Sequence, residues 1–304
     1  MTRTRVPDSF RRESGQGLLM GHWLFLDDEF VPPDLARVPA SDAGLLHGAG
    51  LFETMRAHNG VVFRLRQHLD RLRNSAEALH LTLPENLDRA PQIISELLQR
   101  NDQREARVRL TVTPGHCERS SPLLIIATQP YEPYPDELYE SGMTVLVTDR
   151  RQTPYDASCA HKTLSYYNRL LALREAAQRS CHEALWFTYE GRLAEGSVSN
   201  VFLVKDSSLL TAPLDTPILP GITRATVLEI AAHRGRALQE RSLAIDDLLD
   251  ADEVFLTNVI MKVMPVCRIE AKEVGDGKPG PVTREIARAY DELVEKECAH
   301  GGPK

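Results

Sequence analysis

Apolar and polar positions alternate in short runs over the first 130 residues. HWLFLDDEFV (His22 to Val31) reads as a hairpin turning at Asp27 and Asp28. LFETMRA reads as a strand, HNG as a hairpin turn and VVFRL as the return strand. RVRLTVTPG (Arg107 to Gly115) alternates as another strand, and LLIIATQP follows as the next. Between these runs the period lengthens. Leu69, Leu72, Ala76 and Leu79 recur at helical spacing from Arg66 to His80, and a second helix is predicted from about Pro91 to Arg100. Together they predict a small α+β domain over residues 21–130.

YEPYPDELYESG is rich in proline and acid, which places an interdomain linker at 131–142. The larger domain, 143–304, opens with the strand GMTVLVTD. A helix from about Ser165 to Arg179 and the strand EALWFTY follow. A turn at Glu190 and Gly191 then leads through GRLAEGSVSN to the strands VFLVKD and SLLTAP. LPGITRATVLEIAAHRG reads as a helix opened by Pro-Gly and closed by Gly235. An acidic helix is predicted after Leu238, then a long apolar strand run, EVFLTNVIMKVMPV, broken at Asn258. A last helix runs from Pro281 to about Glu297. There is no internal repeat and no low-complexity segment.

Composition narrows the class. A hydrophobic fraction of 42% and a charged fraction of 26% over 304 residues are those of a soluble globular chain with ample core for two domains. A net charge of −7 disfavours a nucleic-acid partner. No apolar run approaches a membrane span. The basic stretch 1–20 lacks the apolar core of a secretory signal and is expected to be a flexible extension. The five cysteines are scattered without a C-x-x-C pair, which points to a reducing, cytoplasmic setting and no metal site. One count matters more. Only seven of the 36 basic residues are lysines, and the first of them is Lys162.

Lys162 stands where an irregular segment meets a helix, a place from which a side chain can reach a site fixed by the scaffold. A catalytic amine must shed its proton, which burial or neighbouring cations promote; an ordinary surface lysine at a helix start reads the same way locally. Glu195 precedes Gly196, Ser197, Ser199 and Asn200 between apolar strands. It is either a turn carboxylate or an ion-pair partner for a protonated pyridine, which keeps such a ring an electron sink. In LPGITR, Gly221, Ile222 and Thr223 sit at a helix N-terminus, where unpaired N–H groups favour an anion. Arg71 reads as a second phosphate contact or as one charge on a helix face. Arg107 and Arg109 share one strand face and either grip a substrate carboxylate or face solvent.

Taken in order, these stretches resemble the class IV (fold type IV) pyridoxal-phosphate enzymes: branched-chain aminotransferases, D-amino acid aminotransferases and 4-amino-4-deoxychorismate lyases. The resemblance covers about residues 22 to 297 and rests on GLFETMR, VVFRLRQHLDRL, KTLSYYNRLLALREA, EGRLAEGSVSNVFLV, ILPGITR and ADEVFLTN…MPV. It implies a two-domain α+β fold, a small α/β sandwich domain plus a larger pseudo-barrel domain, assembled as a homodimer. It also implies pyridoxal 5′-phosphate as cofactor, with Lys162 as the lysine that forms the internal aldimine. Glu195 then matches the acid on the pyridine nitrogen, Ile222 and Thr223 the phosphate turn, Arg71 the phosphate arginine and Tyr167 the tyrosine at the phenolic oxygen. Asn258 joins the cofactor set. Phe52, Arg107 and Arg109 form the substrate set, and amino acids and 2-oxo acids are the implied substrates.

The subfamily markers are mixed. Thr54 falls where the branched-chain pattern has glycine and where the lyases carry a threonine thought to assist proton transfer. TNVIMKVMPV resembles the lyase pattern too, with Val259 at the place of the transaminase phosphate threonine. Asp42-Ala43 departs from the lyase Asp-Arg, and TPGHCERSS lacks both the lyase arginine loop and the R-x-H trap of D-amino acid enzymes. The expectation is an aminotransferase, with the lyase as the alternative and a non-catalytic protein keeping the fold as a remote third.

Overall fold

The computed structural model describes residues 22–116 and 121–299, so the extension expected at 1–20 lies outside them. The chain divides into two compact units. Among the described residues the first unit takes 22–116, 121–133, 161–166 and 293–299, and the second takes 134–160 and 167–292.

The first unit comprises β1 (Leu24–Leu26), β2 (Glu29–Val31), α1 (Ala43–His47), β3 (Leu51–His58), β4 (Val61–Val62), α2 (Leu65–Ala78), α3 (Ala90–Arg100), β5 (Ala106–Thr113) and β6 (Leu123–Pro130). Its sheet runs β2-β1-β6-β5-β3-β4, every pair antiparallel. Alternation sorts the side chains. Leu51, Met55, Ala57, Val108, Leu110 and Val112 pack on Leu69, Leu72 and Ala76 of α2 and on Ile93, Ile94 and Leu97 of α3. Phe52, Thr54, Arg107 and Arg109 therefore leave β3 and β5 on the opposite face, with Thr54 directly across from Arg109.

The return strand expected through Leu65 stops at Val62. Phe63 still donates its N–H to the Arg56 carbonyl at 3.0 Å. Arg64 then turns left-handed (φ 56°) and the chain enters α2. The N-terminal half of that β3 edge is paired instead with residues from far along the chain. Phe52 N donates to the Lys162 carbonyl at 2.9 Å, Leu164 N donates to the Gly50 carbonyl at 3.0 Å, and Leu51 bridges Thr163. Gly50 (φ 151°) permits this approach, because a Cβ there would lie 2.6 Å from the Val112 carbonyl oxygen and 2.8 Å from Leu164 Cδ1.

The second unit comprises α4 (Asp136–Ser141), β7 (Met143–Gln152), α5 (Tyr167–Gln178), β8 (Glu183–Thr188), β9 (Leu193–Gly196), β10 (Asn200–Lys205), β11 (Ser208–Thr211), α6 (Ile222–His233), β12 (Leu238–Glu240), α7 (Ile245–Leu249), β13 (Glu253–Asn258), β14 (Lys262–Ile269) and β15 (Lys272–Glu273). α8 (Pro281–Cys298) begins in this unit. Its mixed sheet runs β12-β11-β10-β13-β14-β7-β8-β9, with β15 added on β14. β7 lies parallel to both β8 and β14. Two elements differ from the sequence reading. The stretch expected as linker holds α4, and Leu238–Glu240 forms a short strand beside β11 before the acidic helix begins at Ile245. Asn258 does end one strand, as its position predicts. Its side-chain oxygen accepts the N–H groups of Ile260 and Met261, both at 2.8 Å, and turns the chain into β14.

Candidate active site

In the second unit the chemistry gathers on the turn between β9 and β10. Glu195 is 1% exposed, a carboxylate placed there by apolar strands on both sides. Its Oε1 accepts Arg169 Nη2 at 2.6 Å and Gln152 Nε2 at 3.1 Å. Its Oε2 accepts Leu219 N at 3.0 Å and Asn200 Nδ2 at 3.3 Å. A buried carboxylate survives only when paired in this way.

Asn200 also donates Nδ2 to the Leu219 carbonyl at 2.9 Å, so one amide ties the Glu195 turn to the LPGITR turn. Gly221 makes that contact possible, since a Cβ there would lie 2.0 Å from Asn200 Oδ1. α6 starts immediately after Gly221 with no side-chain cap on its first N–H groups. Thr223 is 2% exposed, and its Oγ1 has no hydrogen-bond partner. A second buried hydroxyl without a partner, Thr257 Oγ1, belongs to the residue opposite Asn200 in the β10–β13 pair. Asn258 donates Nδ2 to the Val198 carbonyl at 3.0 Å, so its whole amide is engaged in holding the chain turns around it.

In the first unit Lys162 lies beside β3 with its Nζ 4.7 Å from the centre of the Phe52 ring and 5.9 Å from that of Tyr166. Arg109 covers the same Phe52 ring at 3.9 Å. Lys162, Phe52, Thr54, Arg107 and Arg109 are thus brought to one sheet face. Tyr167, the tyrosine that the resemblance places at the phenolic oxygen, is the first residue of α5 and is 63% exposed in the chain. The tyrosine against Phe52 is its neighbour Tyr166, edge-on at 5.5 Å. Arg71 reaches from α2 to the other side of β3. It donates Nε to Glu53 Oε1 at 2.8 Å and Nη2 to Glu53 Oε2 at 2.5 Å, while His68 Nδ1 meets Oε2 at 2.8 Å.

A family profile described as "Amino-transferase class IV" matches residues 50–269. The chain belongs to the class IV aminotransferases. It is 33% identical over 283 residues to a putative branched-chain-amino-acid aminotransferase of Methanocaldococcus jannaschii, covering 90% of this chain and 96% of that one. It is 30% identical over 280 residues to a D-alanine aminotransferase of Staphylococcus aureus (strain COL), covering 90% and 98%. The solved branched-chain amino acid aminotransferase of Escherichia coli superposes with a TM-score of 0.86 at 29% identity, covering 90% of this chain and 94% of that one. Another solved branched-chain aminotransferase with this fold holds pyridoxamine 5′-phosphate. The two-domain α+β architecture is that of these fold type IV neighbours.

Several residues of this aminotransferase were missed in the sequence reading. Arg169, Gln152 and Asn200 surround Glu195, and Glu53 with His68 surrounds Arg71. Glu183 is another. It is 1% exposed, and its Oε1 accepts Ala184 N at 2.8 Å and Ser197 N at 3.1 Å. Its Oε2 accepts Val198 N at 3.2 Å and Ser199 Oγ at 3.1 Å, so this carboxylate shapes the turn that follows Glu195. Periodicity carried a signal for one of them. On α5 the buried positions are Ala172, Leu173 and Ala176; Arg169 stands at the head of that i, i+3, i+4, i+7 stripe, where an apolar residue is the rule.

Burial pushes the Glu183 carboxyl up to about 7 against the pull of its four donors. A folded value above the unfolded one means that the native state binds more protons between them. Its contribution is complete below about 4.5 and is lost as pH rises through about 7. We expect the denaturant midpoint to fall between pH 5 and 7.5, by on the order of 3 kcal/mol in stability. Glu183→Gln, which cannot titrate, should flatten that slope. Equal slopes in the two proteins would rule out Glu183 as the titrating group.

Proposed function

We propose that this chain transfers an amino group from an amino acid to a 2-oxo acid, using pyridoxal 5′-phosphate and Lys162. The observation that carries the reading is the Asn200 bridge, which ties the Glu195 carboxyl group to the uncapped start of α6 in one frame. The donor set fits the cofactor. The partnerless Thr223 hydroxyl and the N–H groups of Ile222 and Thr223 suit a phosphate, and Glu195 suits a protonated ring nitrogen.

When bound, the cofactor supplies an aldehyde for amine exchange and a ring that stabilises negative charge at the substrate α-carbon. Lys162 supplies the anchoring amine. Freed by the substrate's amine, Lys162 would act as the base that moves the substrate's α-proton. Phe52 packs against the lysine's terminus and limits its travel. Arg109, held over the same ring, presents a planar cation suited to a carboxylate. Arg71 is the phosphate arginine, oriented by Glu53, and Tyr167 serves the phenolic oxygen. On this reading the working assembly is a homodimer.

An amino-donor panel containing both enantiomers, read by cofactor absorbance, tests this. A matching amino acid should bleach the enzyme-bound band and a 2-oxo acid should restore it. No half-reaction with any common L- or D-amino acid would defeat the proposal.

Thr54 motivates the second reading, the aminodeoxychorismate lyase. It is 8% exposed and sits across from Arg109 on the substrate face. Pyruvate released from aminodeoxychorismate without any oxo-acid acceptor would establish the lyase, and Thr54→Ala should then impair it far more than it impairs any transamination.

A further inference from the structure

We propose that Arg169 is a positioning residue for Glu195 that sets how firmly the cofactor's ring nitrogen keeps its proton. This rests on the reading of Glu195 as the ring-nitrogen partner and extends it.

Of the four donors on the Glu195 carboxylate, Gln152, Asn200 and the Leu219 amide are neutral and Arg169 is the cation, at 2.6 Å. Charge-assisted bonds of this kind are the strong ones. The guanidinium does not depend on Glu195 alone for its place. Its Nη1 donates to the carbonyls of Gly196 at 3.2 Å and Ser197 at 3.1 Å, so the arginine clamps the backbone that carries the acid. Trp186 flanks it at 5.9 Å and is itself fixed by donating Nε1 to Ser197 Oγ at 2.9 Å. The Arg169 side chain is 19% exposed against 2% for Glu195, so most of this pairing is shielded from water.

A carboxylate acting for a pyridinium attracts its proton through its negative charge. A cation already bonded to one of its oxygens spends part of that attraction. With Arg169 in place, the ring nitrogen gives up its proton more readily than it would beside an uncompensated glutamate. The arginine therefore moderates the electron-withdrawing power of the ring while keeping Glu195 aimed.

The test uses the full chain loaded with cofactor carrying 15N at the ring nitrogen, titrated by NMR. Arg169→Gln keeps a donor for Glu195 and removes the charge. It should raise the midpoint of the ring-nitrogen titration by about one pH unit, a tenfold gain in proton affinity. Arg169→Lys should restore the wild-type midpoint, which a purely structural role would not require. Arg169→Met is the second neutral variant should the glutamine form fail to fold. Glu195→Gln separates the two ideas. A midpoint moved by Glu195→Gln but not by the neutral Arg169 variants overturns the role of Arg169 alone. A midpoint unmoved by Glu195→Gln overturns the Glu195 reading and this inference with it.

Discussion

Lys162→Ala will leave a protein that forms no borohydride-reducible bond to pyridoxal phosphate, and transamination will fall by on the order of 10⁴-fold. The expectation follows from how few amines the chain holds and where they are. Lys205 bonds the Asp250 carbonyl at 2.7 Å and Asp252 at 3.2 Å. Lys262 pairs with Asp291 at 2.7 Å, and Lys272 bonds the Leu249 carbonyl at 2.7 Å. Lys162 is bonded through its backbone carbonyl to β3 and has its Nζ against the Phe52 ring. On the proposed reading its removal takes away both the anchoring amine and the base. Because the backbone bonds to Gly50 and Phe52 survive the change, stability should be little affected, and a near-normal melting curve would accompany the lost adduct. Retention of the adduct would show that another amine does the work. Mass spectrometry of the reduced, digested protein would identify it.

How far the sequence led can be judged from this same lysine. The role proposed for it rests on the scarcity of lysines and on KTLSYYNR and LAEGSVSN standing in the order of the class IV family. Its setting was not. The pairing of residues 162–164 with Gly50–Phe52 spans more than a hundred positions, and no local pattern encodes a partner at that distance. The same limit explains the short β4. VVFRL has strand composition throughout, but Arg64 turns left-handed and takes the chain into α2, while the lysine segment pairs farther along the same edge, at Gly50–Phe52.

Helix α2 was read from its apolar stripe at Leu69, Leu72 and Ala76, all buried as expected. The buried polar flank, His68, Arg71 and Ser75, lies on the adjoining i, i+3, i+7 positions; of these only Arg71 was singled out, as a phosphate contact or one charge on a helix face, and its burial against Glu53 was not foreseen. The acidic helix was placed directly after Leu238 because three residues carry too little pattern of their own; parallel pairing with β11 makes Leu238–Glu240 a strand. Asn200 reads in sequence as one polar residue of a turn. Its role as the bridge between two turns depends on Gly221 lacking a side chain, a relation visible only once both are placed.

That buried polar flank carries the largest expected effect on stability. Glu53→Ala should destabilise the protein by about 3–5 kcal/mol, roughly 10 °C in melting temperature. Glu53 is 1% exposed on the helix side of β3, and it is the anion that two α2 side chains share. Burial alone would raise its carboxyl, but Arg71 and His68 hold it at about 2. A depressed folded value means that its contribution is present above about 4.5 and is lost as pH falls through about 2, so Glu53 supports the fold throughout the neutral range. Burial, offset in part by Glu53, lowers the His68 value. With Glu53 ionised and accepting only, Nδ1 carries the ring proton. Alanine at position 53 would leave the Arg71 cation buried without this carboxylate, and the cost of that exceeds the lost contacts.

Replacing both members separates structure from chemistry. Glu53→Leu with Arg71→Met removes the charge together with its counter-charge and should regain most of the denaturant midpoint, as buried ion pairs replaced by apolar groups commonly do. The same double variant should bind pyridoxal phosphate at least tenfold more weakly than wild type if Arg71 holds the phosphate. Recovered stability with weakened binding assigns Arg71 to the cofactor and Glu53 to holding it. Recovered stability with wild-type binding would confine the whole triad to the fold and leave the phosphate to the start of α6 and Thr223.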